Sequence, residues 1–464
     1  MKGIEFFFLW YFTSINAVYS FLLLLGLLRV YFRRKELKVE DITNILHSDS
    51  LPEICFIIPM HNEVKNIIST IHNILNLTYR YKEMIIVNDG STDQGFPLLQ
   101  KDLDLVVIPQ FYQEQLKTEH IRGIYRSRAH PEIIVIDKEL GGKFDAVNAG
   151  LNVCTRPFFI VADADSYLDD GTFEALIRPI LATPEIMGVG ASIRVKNGCS
   201  LEFNRVSTTH FPQKILPAMQ NIEYLRSFLM RQGWNYAGGN FVIAGAFSIF
   251  QREIIIKLGG FCSSIAEDLE IVVRLHRVMK ENHTPYKIVY LPDPVSWTEV
   301  PETLKDLGRQ RTNWQLGTLE SIWYHKKMCC NPKYGWFGFF NFPFLVFGEA
   351  LEPYVEMLGY FYILISWIMG VLNIPFAILL ICISLGFTFV YTIFCLFIEE
   401  ISFRKYPSIR SLCFLVFCSF IENLGYRQMT IFWRIRGLKV FISEFSRIKK
   451  VSKLIQKMVK TAHK

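Results

Sequence analysis

Phe158-Phe-Ile-Val-Ala-Asp-Ala-Asp165 is an apolar run that ends in two carboxylates separated by one small residue. Five consecutive apolar residues suit a strand buried on both faces, and parallel strands present ligand sites beyond their carboxyl ends. At such an edge Asp163 and Asp165 can hold a hard divalent cation, leaving coordination positions for substrate phosphate oxygens. The same residues also suit an acidic turn that simply meets water, since Asp is common in turns.

Three earlier runs are of the same kind: Cys55-Phe-Ile-Ile-Pro59, Glu83-Met-Ile-Ile-Val87 and Ile133-Ile-Val-Ile136. Between the first two, Val64 to Leu77 places Ile67, Ile68, Ile71, Ile74 and Leu75 at helical spacing. Strands alternating with helices predict an α/β domain around a mostly parallel sheet. The strand ends are polar: His61-Asn-Glu63 after the first, Asn88-Asp-Gly-Ser-Thr-Asp93 after the second, and the Asp163/Asp165 pair after the fourth. Acids recurring after several parallel strands point to one rim, where a nucleotide and its metal can sit. Alone, Asp-Gly-Ser-Thr-Asp reads equally as a loop and helix cap.

Gly141-Gly-Lys-Phe-Asp-Ala-Val-Asn-Ala-Gly150 lies before the fourth run. Its two glycines let backbone approach a ligand, and Lys143 can reach a phosphate as a point charge or stay solvated beside a turn. The Walker pattern is absent. Beyond Val189 the pattern is less regular: Asn240 to Phe250 reads as strand and turn, and Gly259-Gly-Phe261 as a turn. Ile265-Ala-Glu-Asp-Leu-Glu270 opens a helix with Val273, Leu275 and Val278, where Asp268 also suits a dipole or capping role. Arg309-Gln-Arg-Thr-Asn-Trp314 falls in a helical stretch from Pro301 to Ser321 that has the character of a membrane-surface helix.

The 464-residue chain is 51% hydrophobic and 20% charged, with 39 Phe, too apolar for an ordinary soluble enzyme. Its formal charge of +7 beside apolar spans fits the positive-inside pattern, and no basic-aromatic motif argues for nucleic acid. Ten scattered Cys, with only Cys329-Cys330 adjacent, read as reduced structural thiols.

Ile4 to Leu28 is long enough to span a bilayer, and Arg29, Arg33, Arg34, Lys35 and Lys38 place the residues after Val30 in the cytoplasm. Apolar segments recur near 335–349, 355–372, 375–398 and 409–430. Glu349, Glu352, Glu356, Glu422, Asn423, Arg427 and Gln428 lie in or beside them, where charges face protein, a water-filled path or an interface. Five crossings put the amino terminus outside and the end inside only if the 335–349 segment truly crosses. From Arg434 to Lys464 ten Lys/Arg stand against the lone Glu444, which reads as a cytoplasmic tail on anionic membrane lipid.

Taken in order, Asn88–Asp93, Gly142-Lys143, Asp163-Ala-Asp165, Glu267-Asp268 and Gln310-Arg-Thr-Asn-Trp314 resemble the membrane-integrated family 2 glycosyltransferases, which include hyaluronan, cellulose and poly-N-acetylglucosamine synthases. The resemblance covers roughly residues 50 to 320. It implies an α/β GT-A-type (Rossmann-like) cytoplasmic domain with N- and C-terminal transmembrane helices, a UDP-sugar donor, and Mg or Mn. By position, it implies that Asp89 contacts the uracil or ribose, Lys143 the donor phosphates, and Asp163 with Asp165 the nucleotide and metal. Asp268 becomes the general base, while Gln310 and Trp314 line the donor diphosphate and acceptor entrance. One departure stands out: the family's Gln-x-x-Arg-Trp has Asn313 in the Arg position, and Arg311, two residues earlier, points about 200° away on a helix.

The implied organisation is a transmembrane helix over 1–32, a catalytic domain over 50–300, interface helices over 301–334, a transmembrane region over 335–432 and a basic tail over 433–464. The implied function is an inverting, metal-dependent, inner-membrane glycosyltransferase extending an exported polysaccharide. The alternatives are single addition to a lipid-linked acceptor, or an idle export component that binds nucleotide or polysaccharide.

Overall fold

The computed structural model describes residues 2–39, 51–109, 112–169, 171–202, 205–208, 212–243, 245, 247–402 and 409–462. Met1, Ser50, Ala244, Ala246, residues 403–408, His463 and Lys464, all within the expected segments, lie outside the described residues. The chain divides into two compact units interleaved along the sequence.

The catalytic-domain expectation falls on the unit formed by residues 39–208, 240–299 and 447–464. Its ten-stranded sheet has the order β3-β4-β5-β2-β1-β6-β11-β8-β12-β7. The four predicted runs form its centre as β1 (Ile54–Met60), β2 (Lys82–Asp89), β5 (Ile133–Lys138) and β6 (Phe158–Ala162). All are parallel, and Ile134, Ile85, Ile57 and Val161 form one row across them. Ile54 to Ile58 are fully buried, as a strand covered on both faces requires. The predicted helix spans Ile67–Leu75, and its stripe of Ile67, Ile71 and Ile74 is fully buried against the sheet. Each such side chain contributes about 1.5–3 kcal/mol, an upper estimate for a compact unfolded chain.

Outside that centre the sheet is mixed, which corrects the expectation of a mostly parallel one. Edge strands β3 (Leu105–Ile108) and β4 (Ile121–Ser127) run antiparallel, with β4 also antiparallel to β5. On the other flank β11 (Phe247–Gln251) is antiparallel to both β6 and β8 (Ile186–Val195). Glycines break the apolar pattern of β8 because its neighbours leave no room: a Cβ on Gly190 would lie 2.5 Å from Ile243 Cγ2. β12 (Lys287–Thr298) carries Pro292 and Pro294, which in sequence argue against a strand. Its pairing with β8 absorbs them through register shifts between Leu291, Pro294 and Ser296, and β7 (Tyr167–Leu168) pairs only with Ser296 and Trp297.

Strand order reverses at β1, since β2 lies on one side of it and β6 on the other. This is the switch point where open α/β sheets bind ligands.

The second unit, residues 1–38, 209–239 and 300–446, is helical. Among the described residues two of its helices are long and apolar enough to cross a membrane, Lys2–Phe32 and Ile374–Ile398. Phe6, Trp10 and Leu24 on the first, and Ile374, Ile378 and Phe397 on the second, are exposed. The apolar helix Phe337–Ala350 is shorter, and at about 1.5 Å per residue it falls short of a hydrocarbon core of about 30 Å. The expected 355–372 and 409–430 segments appear as Glu352–Ile368 and Ile409–Ile421; the latter breaks at Leu424 and Gly425 before helix Arg427–Ser443. The charges in this region face protein: Arg427 pairs with Glu356 at 2.7 Å and Glu352 at 3.3 Å, and Arg226 with Glu422 at 2.7 Å. Helix Lys2–Val39 meets helix Ile215–Tyr236 at very close range, since a Cβ on Gly233 would lie 2.2 Å from the Leu22 carbonyl oxygen.

The residues expected as a basic tail form a helix. Residues 447–462 belong to the sheet unit, and helix Phe445–Thr461 buries Ile448, Ile455 and Val459 there. Arg277 donates to Gln456 Oε1 at 2.8 Å, and Arg274 to Met458 Sδ at 3.2 Å. Ile448, Ile455 and Val459 are thus packed on protein, while Leu454 and Lys449, Lys450, Lys453, Lys457 and Lys460 are exposed. Among the described residues no disulfide joins any of the ten cysteines.

Candidate active site

The carboxyl ends of β1, β2, β5 and β6 carry the rim. Asn88 and Asp137 are register partners, and Asn88 Nδ2 donates to Asp137 Oδ1 at 2.7 Å. One step on, Asp89 pairs with Lys138, whose Nζ lies 2.7 Å from Asp89 Oδ1 and 2.6 Å from Asp145 Oδ1. Asp89 also accepts from the backbone N–H of Gly141 at 2.9 Å and of Gly142 at 2.7 Å. Its side chain is only 4% exposed, so the carboxylate is committed to this loop, which leaves little of it for the expected contact with uracil or ribose. Gly142 has φ +91°, a conformation that favours glycine, and caps helix Lys143–Val153.

Lys143, the first residue of that helix, extends its Nζ to 2.6 Å from Asp163 Oδ1 and 3.5 Å from Glu267 Oε1. Burial alone would lower its pKa, but the carboxylates of Asp163, Glu267 and Asp268 outweigh it and hold the ammonium charged. Asp165 is pushed up to about 6 by burial first, then by the charges of Asp163 and Glu63. Glu267 is raised by burial; the nearby Lys143 works against the shift and Asp268 adds to it. Glu267 and Asp268 open helix Glu267–Glu281. Asp268 Oδ1 accepts from the Leu269 N–H at 2.9 Å, and its Oδ2 would be 2.8 Å from a Cβ on Gly245, so a small residue there keeps the carboxylate accessible. Asp163, Asp165, Lys143, Glu267 and Asp268 are therefore brought to one place from three separate segments.

The β1 end is closed by Asn62, at φ 59°, whose Oδ1 accepts from the Thr92 N–H at 2.8 Å and the Asp93 N–H at 3.2 Å. Asp93 accepts from the N–H groups of Val64 and Gly95, both at 3.0 Å, so for this residue the capping alternative holds. Asn148, one turn and a half beyond Lys143, ties the Gly259-Gly-Phe261 turn to the same helix through two bonds with Phe261, at 2.8 and 2.9 Å.

Gln310 and Trp314 belong to the helical unit, on helix Leu304–His325. Trp314 is half exposed and stacks on Tyr224 at 6.3 Å between centroids, with the Arg311 guanidinium 4.1 Å from its ring. Arg311 is buried and pairs with Glu223 at 2.7 Å, whereas Asn313 is exposed. Arg311 is therefore a support under Trp314, on a different face from Asn313.

Among the described residues, no group of three or more His, Cys, Asp or Glu is arranged to hold a metal by itself. The donor set at Asp163 and Asp165 nonetheless fits Mg or Mn, which keep waters and take one or two carboxylates plus substrate phosphates. The rim is also rich in negative charge: Asp163, Glu267 and Asp268 act on Lys143, and Asp163 and Glu63 add to the burial that raises Asp165, so a dication would relieve that added repulsion. Sequence reading missed Lys138 and Asp145, although Asp137-Lys138 immediately follows an apolar run and marks its end as polar.

The profile of the family described as "Glycosyltransferase like family 2" matches residues 52–317. The poly-beta-1,6-N-acetyl-D-glucosamine synthase of Staphylococcus aureus (strain COL) is 27% identical over 280 residues, 60% of this chain and 57% of that protein. That of Staphylococcus epidermidis is 27% identical over 272 residues, 58% and 55% respectively. The chain thus matches little more than half the length of these curated relatives. Among solved structures, the mannosyltransferase PcManGT from Pyrobaculum calidifontis, in complex with GDP-Man and Mn2+, is 16% identical with a TM-score of 0.47, covering 92% of this chain and 97% of that one. That likeness is too loose to decide fold or chemistry. The profile match alone takes in more than half of the chain, from the first buried strand to the helix of Gln310 and Trp314, and on it the chain belongs to the glycosyltransferase like family 2.

Proposed function

We propose that the protein is an inverting, divalent-metal-dependent glycosyltransferase that moves a sugar from a UDP-sugar to a growing exported polysaccharide at the cytoplasmic face of the inner membrane. The observation that carries this reading is the convergence of Lys143 on Asp163 and Glu267, with Asp268 one residue on. Breaking the anomeric bond leaves charge on a diphosphate, and the Lys143 ammonium, held charged by its acidic neighbours, stabilises it. Mg or Mn at Asp163 and Asp165 would supply Lewis-acid charge to the same leaving group. Asp268 takes the proton of the acceptor hydroxyl as general base. One base and no enzyme nucleophile suit inversion. By motif order alone, Gln310 is assigned to the donor diphosphate and Trp314 to the acceptor. The names of the staphylococcal relatives make a UDP-N-acetylhexosamine the first donor to test. The two apolar helices and the exposed apolar residues on them support a multi-pass membrane setting.

The test is UDP release by purified protein across a panel of UDP-sugars with Mg or Mn. Asp268→Asn and Asp163→Ala should each lower turnover by about 100-fold or more; wild-type rates in either variant overturn the assignment. A second reading, single addition to a lipid-linked acceptor, is favoured by the exposed Asn313 where the motif has Arg, with Arg311 committed to Glu223. A product ladder or long polymer on a gel excludes it.

A further inference from the structure

Lys138 is a lysine with a side chain 0% exposed, whereas Lys143 on the same rim is 36% exposed. Its three ammonium protons have three acceptors: Asp89 Oδ1 at 2.7 Å, Asp145 Oδ1 at 2.6 Å and the Glu139 carbonyl. Burying a cation beside two carboxylates leaves the cluster one negative charge in excess, and backbone donors take up that excess. Gly141 and Gly142 donate to the two oxygens of Asp89, and the Glu119 N–H donates to both oxygens of Asp145 at 3.2 and 3.1 Å. A Cβ on Gly141 would lie 2.5 Å from Asp145 Oδ1, so the chain passes directly over the cluster before it turns, at φ +91°, into Lys143.

We infer that Lys138 is a positioning residue for Lys143: by clamping Asp89 and Asp145 together it fixes the course of Gly141-Gly142 and so the aim of the Lys143 ammonium at Asp163. The geometry is that of a bolt through three elements, the ends of β2 and β5 and the first turn of helix Lys143–Val153. A misplacement of about 1 Å in a group that stabilises a leaving group is enough to cost about 100-fold in rate. Lys138 itself has no access to a donor. Its effect on turnover passes through Lys143, and this part of the inference rests on the donor-binding role proposed above for that residue.

The experiment uses the full-length protein and two variants. Lys138→Met leaves two buried carboxylates unopposed, whereas Lys138→Met with Asp145→Asn preserves the cluster's single negative charge. Two measurements are made on each: amide hydrogen exchange of peptides covering residues 139–144, and donor kcat and KM with and without Lys143→Ala. The expected result is loss of protection at Gly141 and Gly142, a fall of about 10- to 100-fold in donor kcat/KM carried mainly by kcat, and little further loss when Lys143→Ala is added. Retained protection with donor kcat/KM within about twofold of wild type overturns the inference, as does a loss that multiplies fully with that of Lys143→Ala. Failure of both variants to fold makes Lys138 a stability element and rejects a positioning role. Absence of turnover in the wild type defeats the proposed function instead, and the exchange measurement then still decides whether Lys138 holds the glycine pair.

Discussion

Replacing His276 with Gln should remove much of the sheet unit's sensitivity to mild acid. His276 lies on helix Glu267–Glu281, buried, with Nε2–H donating to the Asn240 carbonyl at 2.9 Å and Nδ1 accepting from the Tyr286 hydroxyl at 2.7 Å. Both ring nitrogens are used by the neutral form, and burial, partly opposed by the Asn240 bond, lowers the pKa from 6.5 to about 3. The folded state therefore resists a proton that the unfolded chain accepts below about 6.5, so stability is fully present above that pH and is lost as the pH falls towards 3. With those two values the loss between pH 7.5 and pH 5 is about 2 kcal/mol, or about 4–8 °C in thermal midpoint for a unit of this size. Thermal unfolding of detergent-solubilised wild type and His276→Gln across that range checks it. The variant starts lower, because Gln does not reproduce both bonds, but its midpoint should fall several degrees less on acidification. Equal falls in the two proteins refute the reasoning.

Three further outcomes are expected. Asp165 is raised to about 6, so its ionisation opposes folding progressively from about pH 4 to 6; in chelator at pH 7.5, Asp165→Asn should stabilise the protein by about 1–2 kcal/mol after solvent screening, and added Mg or Mn should reverse the ranking in a thermal-shift assay. Glu356→Ala takes the nearer carboxylate from the partly buried Arg427, which keeps Glu352 at 3.3 Å, and should cost about 1–3 kcal/mol by thermal unfolding, whereas Glu356→Leu combined with Arg427→Met should recover most of it. Gly233→Val drives a side chain into the Leu22 backbone and should cost about 1–3 kcal/mol, while Gly386→Ala, with nothing within 4 Å of the added Cβ, should be neutral in the same assay.

The centre of the sheet was legible because β1, β2, β5 and β6 are short, apolar and followed by acids, and a buried parallel strand has no other way to be written. Lys143, Asp163, Asp165 and Asp268 were legible as residue types at strand and helix ends. Their convergence was not, since it depends on β11 entering antiparallel beside β6 and on the turn at Gly259 and Gly260, neither of which has a periodic signal. β8 and β12 were hidden by glycine and proline, residues that normally argue against strands but here answer close packing and shifts of register. Lys138 escaped notice because a lysine after an apolar run reads as a solvated end, whereas Asp89 from another strand and Asp145 from the next helix draw it inside. In the tail the basic surface and apolar stripe were both visible, but only the fold shows that Ile448, Ile455 and Val459 pack on protein.

That last element bears on biogenesis. The sheet unit is written in three pieces, and its final piece, residues 447–462, is synthesised only after the whole of the helical segment 300–446. The central strands can pair as soon as residue 162 has emerged, yet the turn at Gly259 lacks its Met458 contact, and Arg274 and Arg277 lack their bonds to Met458 and Gln456, until residues 447–462 have followed. A nascent chain stalled within the apolar helices thus carries a paired sheet whose Gly259 turn and helix Glu267–Glu281 are still missing part of their packing, so maturation of this unit is timed by passage of the helical segment through synthesis.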